Sequence, residues 1–92
     1  MIILSKFEVS GHSMIPTINP GQNILASKLP YLFNQPKIND IIIFKSEKKL
    51  IIKRIKNIKD GQFKVAGDNA LDSKDFGFID KSKILGKVIF FW

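Results

Sequence analysis

The sequence has no cysteine and only one histidine, one arginine, one tryptophan and one tyrosine among its 92 residues. Each shortage removes a class of chemistry. Without cysteine there is no disulfide framework, no thiolate zinc site and no thiol nucleophile, and redox chemistry gives no indication of compartment. The lone histidine, His12, leaves a zinc centre short of donors, and no cofactor or metal is expected. Long apolar runs are missing too. A spanning helix takes about 20 apolar residues. The best candidate, Ile84-Leu85-Gly86-Lys87-Val88-Ile89-Phe90-Phe91-Trp92, is too short and carries Lys87. The opening Met1-Ile2-Ile3-Leu4-Ser5-Lys6 is likewise too short for the core of a secretory signal and its cleavage site.

What is present is 45% hydrophobic residues and a formal charge of +7, from fourteen lysines and Arg54 against eight acids. That apolar content suffices for one modest core, so a single domain over residues 1–92 is expected. The lysines run from Lys6 to Lys87 without clustering, which reads as a solvated surface. Base readout usually relies on arginine, and no aromatic-plus-basic RNA-binding motif occurs, so no nucleic-acid partner is expected.

Helical periodicity is nowhere sustained, whereas short runs of isoleucine, valine and phenylalanine are punctuated by Gly, Pro, Asn and Asp. This pattern predicts strands over residues 7–10, 23–28, 40–45, 50–56, 62–66 and 84–91. Lys59-Asp60-Gly61 is the clearest tight turn. Pro30 and Pro36 predict a loop that carries Tyr31, Leu32 and Phe33, either as a lid on the core or as an apolar contact surface. A polar loop is expected from Gly67 to about Lys83. Strands joined by hairpins at this spacing predict an all-β fold, a small and mostly antiparallel barrel-like folded sheet.

Three stretches carry candidate chemistry. In Gly11-His12-Ser13-Met14-Ile15-Pro16-Thr17 a hydroxyl lies between a flexible glycine and a proline-bent turn, although these are also ordinary turn residues. In the fourth strand Ile51, Lys53 and Ile55 share one side, and Ile52, Arg54 and Lys56 the other. Burial of the first side would disfavour the Lys53 ammonium and make a neutral amine available as a general base. The alternative is a lysine at the sheet edge whose amine reaches water. In Gly67-Asp68-Asn69-Ala70-Leu71-Asp72-Ser73-Lys74-Asp75-Phe76-Gly77, short polar side chains crowd a bend. They either bond the local backbone or serve chemistry, Ser73 orienting an amine and Asp68 pairing with Arg54.

Taken in order, Ser13-Met14-Ile15-Pro16-Thr17, Lys53-Arg54-Ile55 and Gly67-Asp68-Asn69 with Ser73 and Asp75 resemble the type I signal peptidase family of Ser/Lys proteases. Asn39-Asp40-Ile41-Ile42-Ile43-Phe44 also resembles that family's Gly-Asp strand, with Asn39 in place of glycine. The resemblance implies a serine endopeptidase that removes leader peptides after small residues, of the Ala-X-Ala type. Ser13 would be the nucleophile, Lys53 its base, and Ser73 a hydroxyl that orients the lysine. Arg54 and Asp68 would form a structural ion pair, with Asn69 and Asp75 also structural. The Ser13 N–H would donate to the oxyanion. Gly11 stands where some members carry a second, hydroxyl donor, and the arginine that usually follows Asp75 is missing, since Phe76-Gly77 comes at once.

Met14, Ile15 and Ile51 are candidate walls for the substrate's small side chains, with Ile41 more at home in the core. His12 is not expected to act as base, because adjacent residues of an extended segment project in opposite directions and no acid is placed to orient it. The implied partner is a precursor with a cleavable leader. Small soluble relatives serve particular precursors, the maturation protease of nickel-type superoxide dismutase among them. Relatives are usually tethered by a membrane helix, so this chain is expected either to work untethered, in the cytoplasm or peripherally at a membrane, or to lie beside an anchor at the extracytoplasmic face. Two alternatives are a LexA-type self-cleaving domain and a catalytically inactive binding module of the same fold.

Overall fold

The computed structural model describes residues 4–71 and 76–92. In chain order the elements are β1 (Leu4–Glu8), β2 (Asn23–Ser27), a one-turn helix α1 (Pro30–Phe33), β3 (Ile41–Ser46), β4 (Lys49–Lys59), β5 (Gln62–Ala66), β6 (Phe78–Asp80), a 3-10 turn at Lys81–Lys83, and β7 (Ile84–Phe91). All pairings are antiparallel, and the strands form one sheet in the order β1-β2-β7-β3-β4-β5-β6. The all-β expectation therefore holds. The sheet is not closed, however: β1 and β6 are its two edges, so the barrel-like form is an open one.

The unbroken isoleucines of β3 follow from its place between β4 and β7, where both faces are covered. Ile43 joins a cluster with Met14, Ile18, Ile24 and Val88. Ile42 and Phe44 point the other way, into a cluster with Ile55, Phe63, Val65, Ile79 and Ile84. Alternation along one strand thus feeds two apolar cores, and each fully buried side chain contributes about 1.5–3 kcal/mol.

Several local outcomes differ from the sequence expectation. β1 lies earlier than predicted, at Leu4–Glu8, and beyond it Val9 still donates to the Gln22 carbonyl at 2.8 Å and accepts from the Gly21 N–H at 2.9 Å before the chain turns toward Ser13. β4 runs on to Lys59, with a register shift between Ile55 and Asn57. Its hairpin is turned by Asp60 and Gly61, at φ 52° and 75°, the left-handed pair that a two-residue turn of twisted strands needs. Pro30 begins α1 instead of preventing structure, since its fixed φ suits a first helical position and its missing N–H costs nothing there. Within the expected polar loop, β6 adds a short edge strand: Ile79 is buried while Phe78 and Asp80 face out. Asn39 adopts φ 79°, a conformation open to glycine and tolerated by asparagine. That accounts for asparagine where the resembled family has glycine.

Candidate active site

The site is assembled from three segments: the turn after β1, the middle of β4, and the bend after β5. In the first, the turn is tied back on itself by Ile15 N–H to the His12 carbonyl at 3.3 Å and Ile18 N–H to the Met14 carbonyl at 2.9 Å. Met14 and Ile18, 1% and 0% exposed, anchor it in the core. Ser13 is left half-buried and His12 exposed.

The bend after β5 holds this turn. Asn69 grips it twice, its backbone N–H donating to the Ser13 carbonyl at 2.8 Å and its side-chain amide to the His12 carbonyl at 2.9 Å. The Thr17 hydroxyl donates to Asp68 at 2.6 Å. Gly67 lies flat against Ser13: a Cβ there would collide with the Ser13 carbonyl oxygen and lie 3.1 Å from the Ser13 Cβ. Only hydrogen fits.

β4 supplies two basic residues. Arg54 makes a two-pronged bond to Asp68, Nε and one terminal nitrogen each at 2.8 Å, and its other terminal nitrogen donates to the Asn39 carbonyl at 2.9 Å. The arginine's hydrogen bonds hold the Asp68 carboxyl below the usual range, and the carboxylate raises the Arg54 guanidinium in turn. Lys53 points to the opposite face. It is 4% exposed and is the buried charged residue among those described, with Ile51 and Ile55 two places away on its own strand and Ile42 directly across on β3. The ring of Phe76 lies 5.8 Å from its amine.

The β4–β5 ladder ends at the pair Arg54–Ala66. Lys53 and Gly67 are the residues next beyond that pair in the chain, and the face of Gly67 that a Cβ would occupy is the one covered by Ser13.

The family model described as signal peptidase, peptidase S26, matches residues 1–58 of this sequence. The chain belongs to the signal peptidase family. Over 39 residues, 42% of the chain, it is 41% identical to the probable thylakoidal processing peptidase 2, chloroplastic, of Arabidopsis thaliana. Over 34 residues, 37% of the chain, it is 44% identical to thylakoidal processing peptidase 1, chloroplastic, of the same plant. The matched stretches cover 11% and 10% of those relatives' lengths. The signal peptidase match takes in Ser13, Lys53 and Arg54 but stops short of the bend at Gly67.

Of the residues singled out from the sequence, Asn69 is bonded to the Ser13 carbonyl and Arg54 to Asp68, and Lys53 is buried on the other face of β4 from Arg54. Ser73 and Asp75 lie outside the described residues. Met14 is 1% exposed and packs in the core cluster with Val9, Ile18 and Ile24. Ile15 and Ile51 remain half-exposed. Three contributors were not foreseen: Thr17 as a partner of Asp68, Gly67 as the point of contact with Ser13, and Phe76 over the lysine. An apolar ring within a polar loop was the available signal for Phe76.

Proposed function

We propose that this chain is the catalytic domain, over residues 1–92, of a Ser/Lys endopeptidase that removes leader peptides after small residues. The observation that carries the proposal is the close approach of Gly67 to Ser13, taken with the burial of Lys53, the residue next beyond the ladder pair Arg54–Ala66 as Gly67 is. In this reading neutral Lys53 takes the proton from the Ser13 hydroxyl as its oxygen attacks the scissile carbonyl. The protonated amine then gives that proton to the departing nitrogen, and water repeats the cycle on the acyl-enzyme. The Ser13 N–H donates to the oxyanion. Ser73 steadies the amine by analogy with the family.

In this reading the burial of Lys53, 4% exposed, disfavours its ammonium against the attraction of the Phe76 ring 5.8 Å from the amine.

The substrate track in this proposal is the cleft of about 170 Å³ lined by residues 7–10 on one side and 50–52 on the other. β1 is paired only with β2, and β4 is paired with β5 only from Arg54 onward. Two strand edges thus face a common groove just ahead of Ser13 and Lys53. An extended peptide would bond to such edges through its backbone, with small side chains turned toward Ile51. The test is a labelled Ala-X-Ala leader peptide together with a penem acylating reagent. Cleavage, with an adduct on Ser13 by mass spectrometry, is expected. Neither cleavage nor adduct from folded protein would overturn the proposal.

No helix among the described residues is long and apolar enough to cross a membrane. Peripheral contact is part of the proposal: Ile89, Phe90 and Trp92 are exposed at one end of the sheet, Phe90 and Trp92 with ring centroids 5.6 Å apart and the Lys6 amine 5.9 Å from the Trp92 ring. Aromatic and cationic groups together suit an anionic membrane surface.

A further inference from the structure

Away from the candidate active site, a pocket of about 350 Å³ opens between α1 and the 3-10 turn, lined by Lys28, Tyr31, Leu32, Lys81, Ser82 and Ile84. Its floor is apolar: Ile84 is buried, Tyr31 half-buried, and Leu32, 61% exposed, forms the open wall. Its rim is cationic and contains no acid. The ion pairs among the described residues are Arg54–Asp68 and Lys87–Asp40, so neither Lys28 nor Lys81 is neutralised by one. Asp80, next to Lys81 in the chain, accepts from the Gln62 side-chain amide at 2.8 Å, and Asp40, the partner of Tyr31, is also engaged. It accepts from the Tyr31 hydroxyl at 2.7 Å and the Lys37 N–H at 3.0 Å, and it pairs with Lys87 at 3.6 Å.

We propose that this pocket binds a small amphipathic carboxylate of the medium-chain fatty-acid class, its head between Lys28 and Lys81 and its tail on Ile84 and Leu32. The charge of the rim selects an anion, and the net charge of +7 opposes docking of a second copy. At Ile84 β7 is paired with β3, opposite Phe44, and its pairing with β2 begins only at Lys87. An acyl chain fills an apolar floor without backbone amide groups that need partners. The Ser82 hydroxyl adds one donor beside the lysines for the carboxylate.

The site is tested by titrating the 15N-labelled protein with decanoate below its micelle concentration. Saturable shifts confined to residues 28–32 and 81–84 are expected. The variant Lys28→Glu/Lys81→Glu changes two exposed side chains and should keep the fold. It should weaken binding about tenfold or more, as expected when charge-assisted hydrogen bonds are lost. Decanol, with the same tail and no charge, should also bind more weakly to the unaltered protein. Equal binding of decanol would overturn the proposal, as would shifts centred on Phe90 and Trp92, or binding to phosphatidylglycerol vesicles with none to free decanoate. So would shifts at the pocket produced by an acidic apolar peptide and not by decanoate. Leader cleavage enters none of these readouts, so the outcome is independent of the protease proposal.

Discussion

At the scale of single residues, the chain commits one of its fourteen lysines to an apolar setting and hydrates the rest of those described. Lys53 has isoleucines on either side along β4 and another across the ladder. Replacing it with methionine, which keeps the volume and removes the amine, should leave the Tm nearly unchanged or raised and eliminate cleavage. Ser13→Ala should eliminate cleavage as well. On the proposed mechanism the cleavage rate of the unaltered protein should climb with pH, since only a neutral Lys53 amine accepts a proton, and a flat profile would argue against a lysine base. Gly67→Ala makes the most local prediction. A methyl group there displaces the Ser13 backbone, and a shift of about 1 Å costs about 100-fold in rate. The loss should fall mainly on kcat.

At the scale of elements, the Ser13 turn is held by a clamp in which Thr17, Asp68 and Arg54 are bonded in series to the Asn39 carbonyl. Removing one member of a fully buried pair costs about 3–5 kcal/mol. Arg54 and Asp68 keep 21% and 11% of their side-chain surface, so solvent screening lowers the cost of Arg54→Ala to about 2 kcal/mol. At about 4–8 °C per kcal/mol for a domain of this size, thermal melting should show the loss directly. The pair also sets a sign for acid stability. The folded carboxyl of Asp68 is held below its ordinary value of 3.8, so its contribution is complete above that pH and is lost as the pH falls through the depressed value. Asp68→Asn should be less stable at neutral pH and show a shallower acid decline.

Much of this scale was legible in the sequence and some was not. The Asp60-Gly61 hairpin and the two-faced isoleucines of β3 follow from local chemistry. The Arg54–Asp68 pair was suggested by both the lone arginine and the family resemblance. β6 was hidden because three residues in a polar stretch carry no period, and α1 because proline reads as a breaker until its position in the first turn is known. The fit of Gly67 against Ser13 depends on a meeting of distant segments that no local pattern records.

At the scale of the molecule, two apolar clusters share one open sheet, and the exposed groups are distributed unevenly over it. The aromatic end of β7 should make the protein co-sediment with anionic vesicles. Replacing Phe90 and Trp92 with serine should reduce the bound fraction several-fold without altering cleavage of a free peptide, and unchanged sedimentation would remove the membrane contact. On the alkaline side, burial and then the bond to Asp40 raise the Tyr31 hydroxyl above its ordinary value of 10.0. Its contribution to stability is therefore present below that pH and lost as the pH rises through the raised value. Tyr31→Phe should flatten that limb of the melting profile.

The bend that seats the Ser13 turn comes late in the chain, after both the alcohol and the amine have been made. A growing polypeptide on the ribosome, halted after β4, would possess Ser13 and Lys53 but not the bend that grips the turn. The Ser13 turn should take up its folded geometry only when Gly67 to Asn69 emerge and dock.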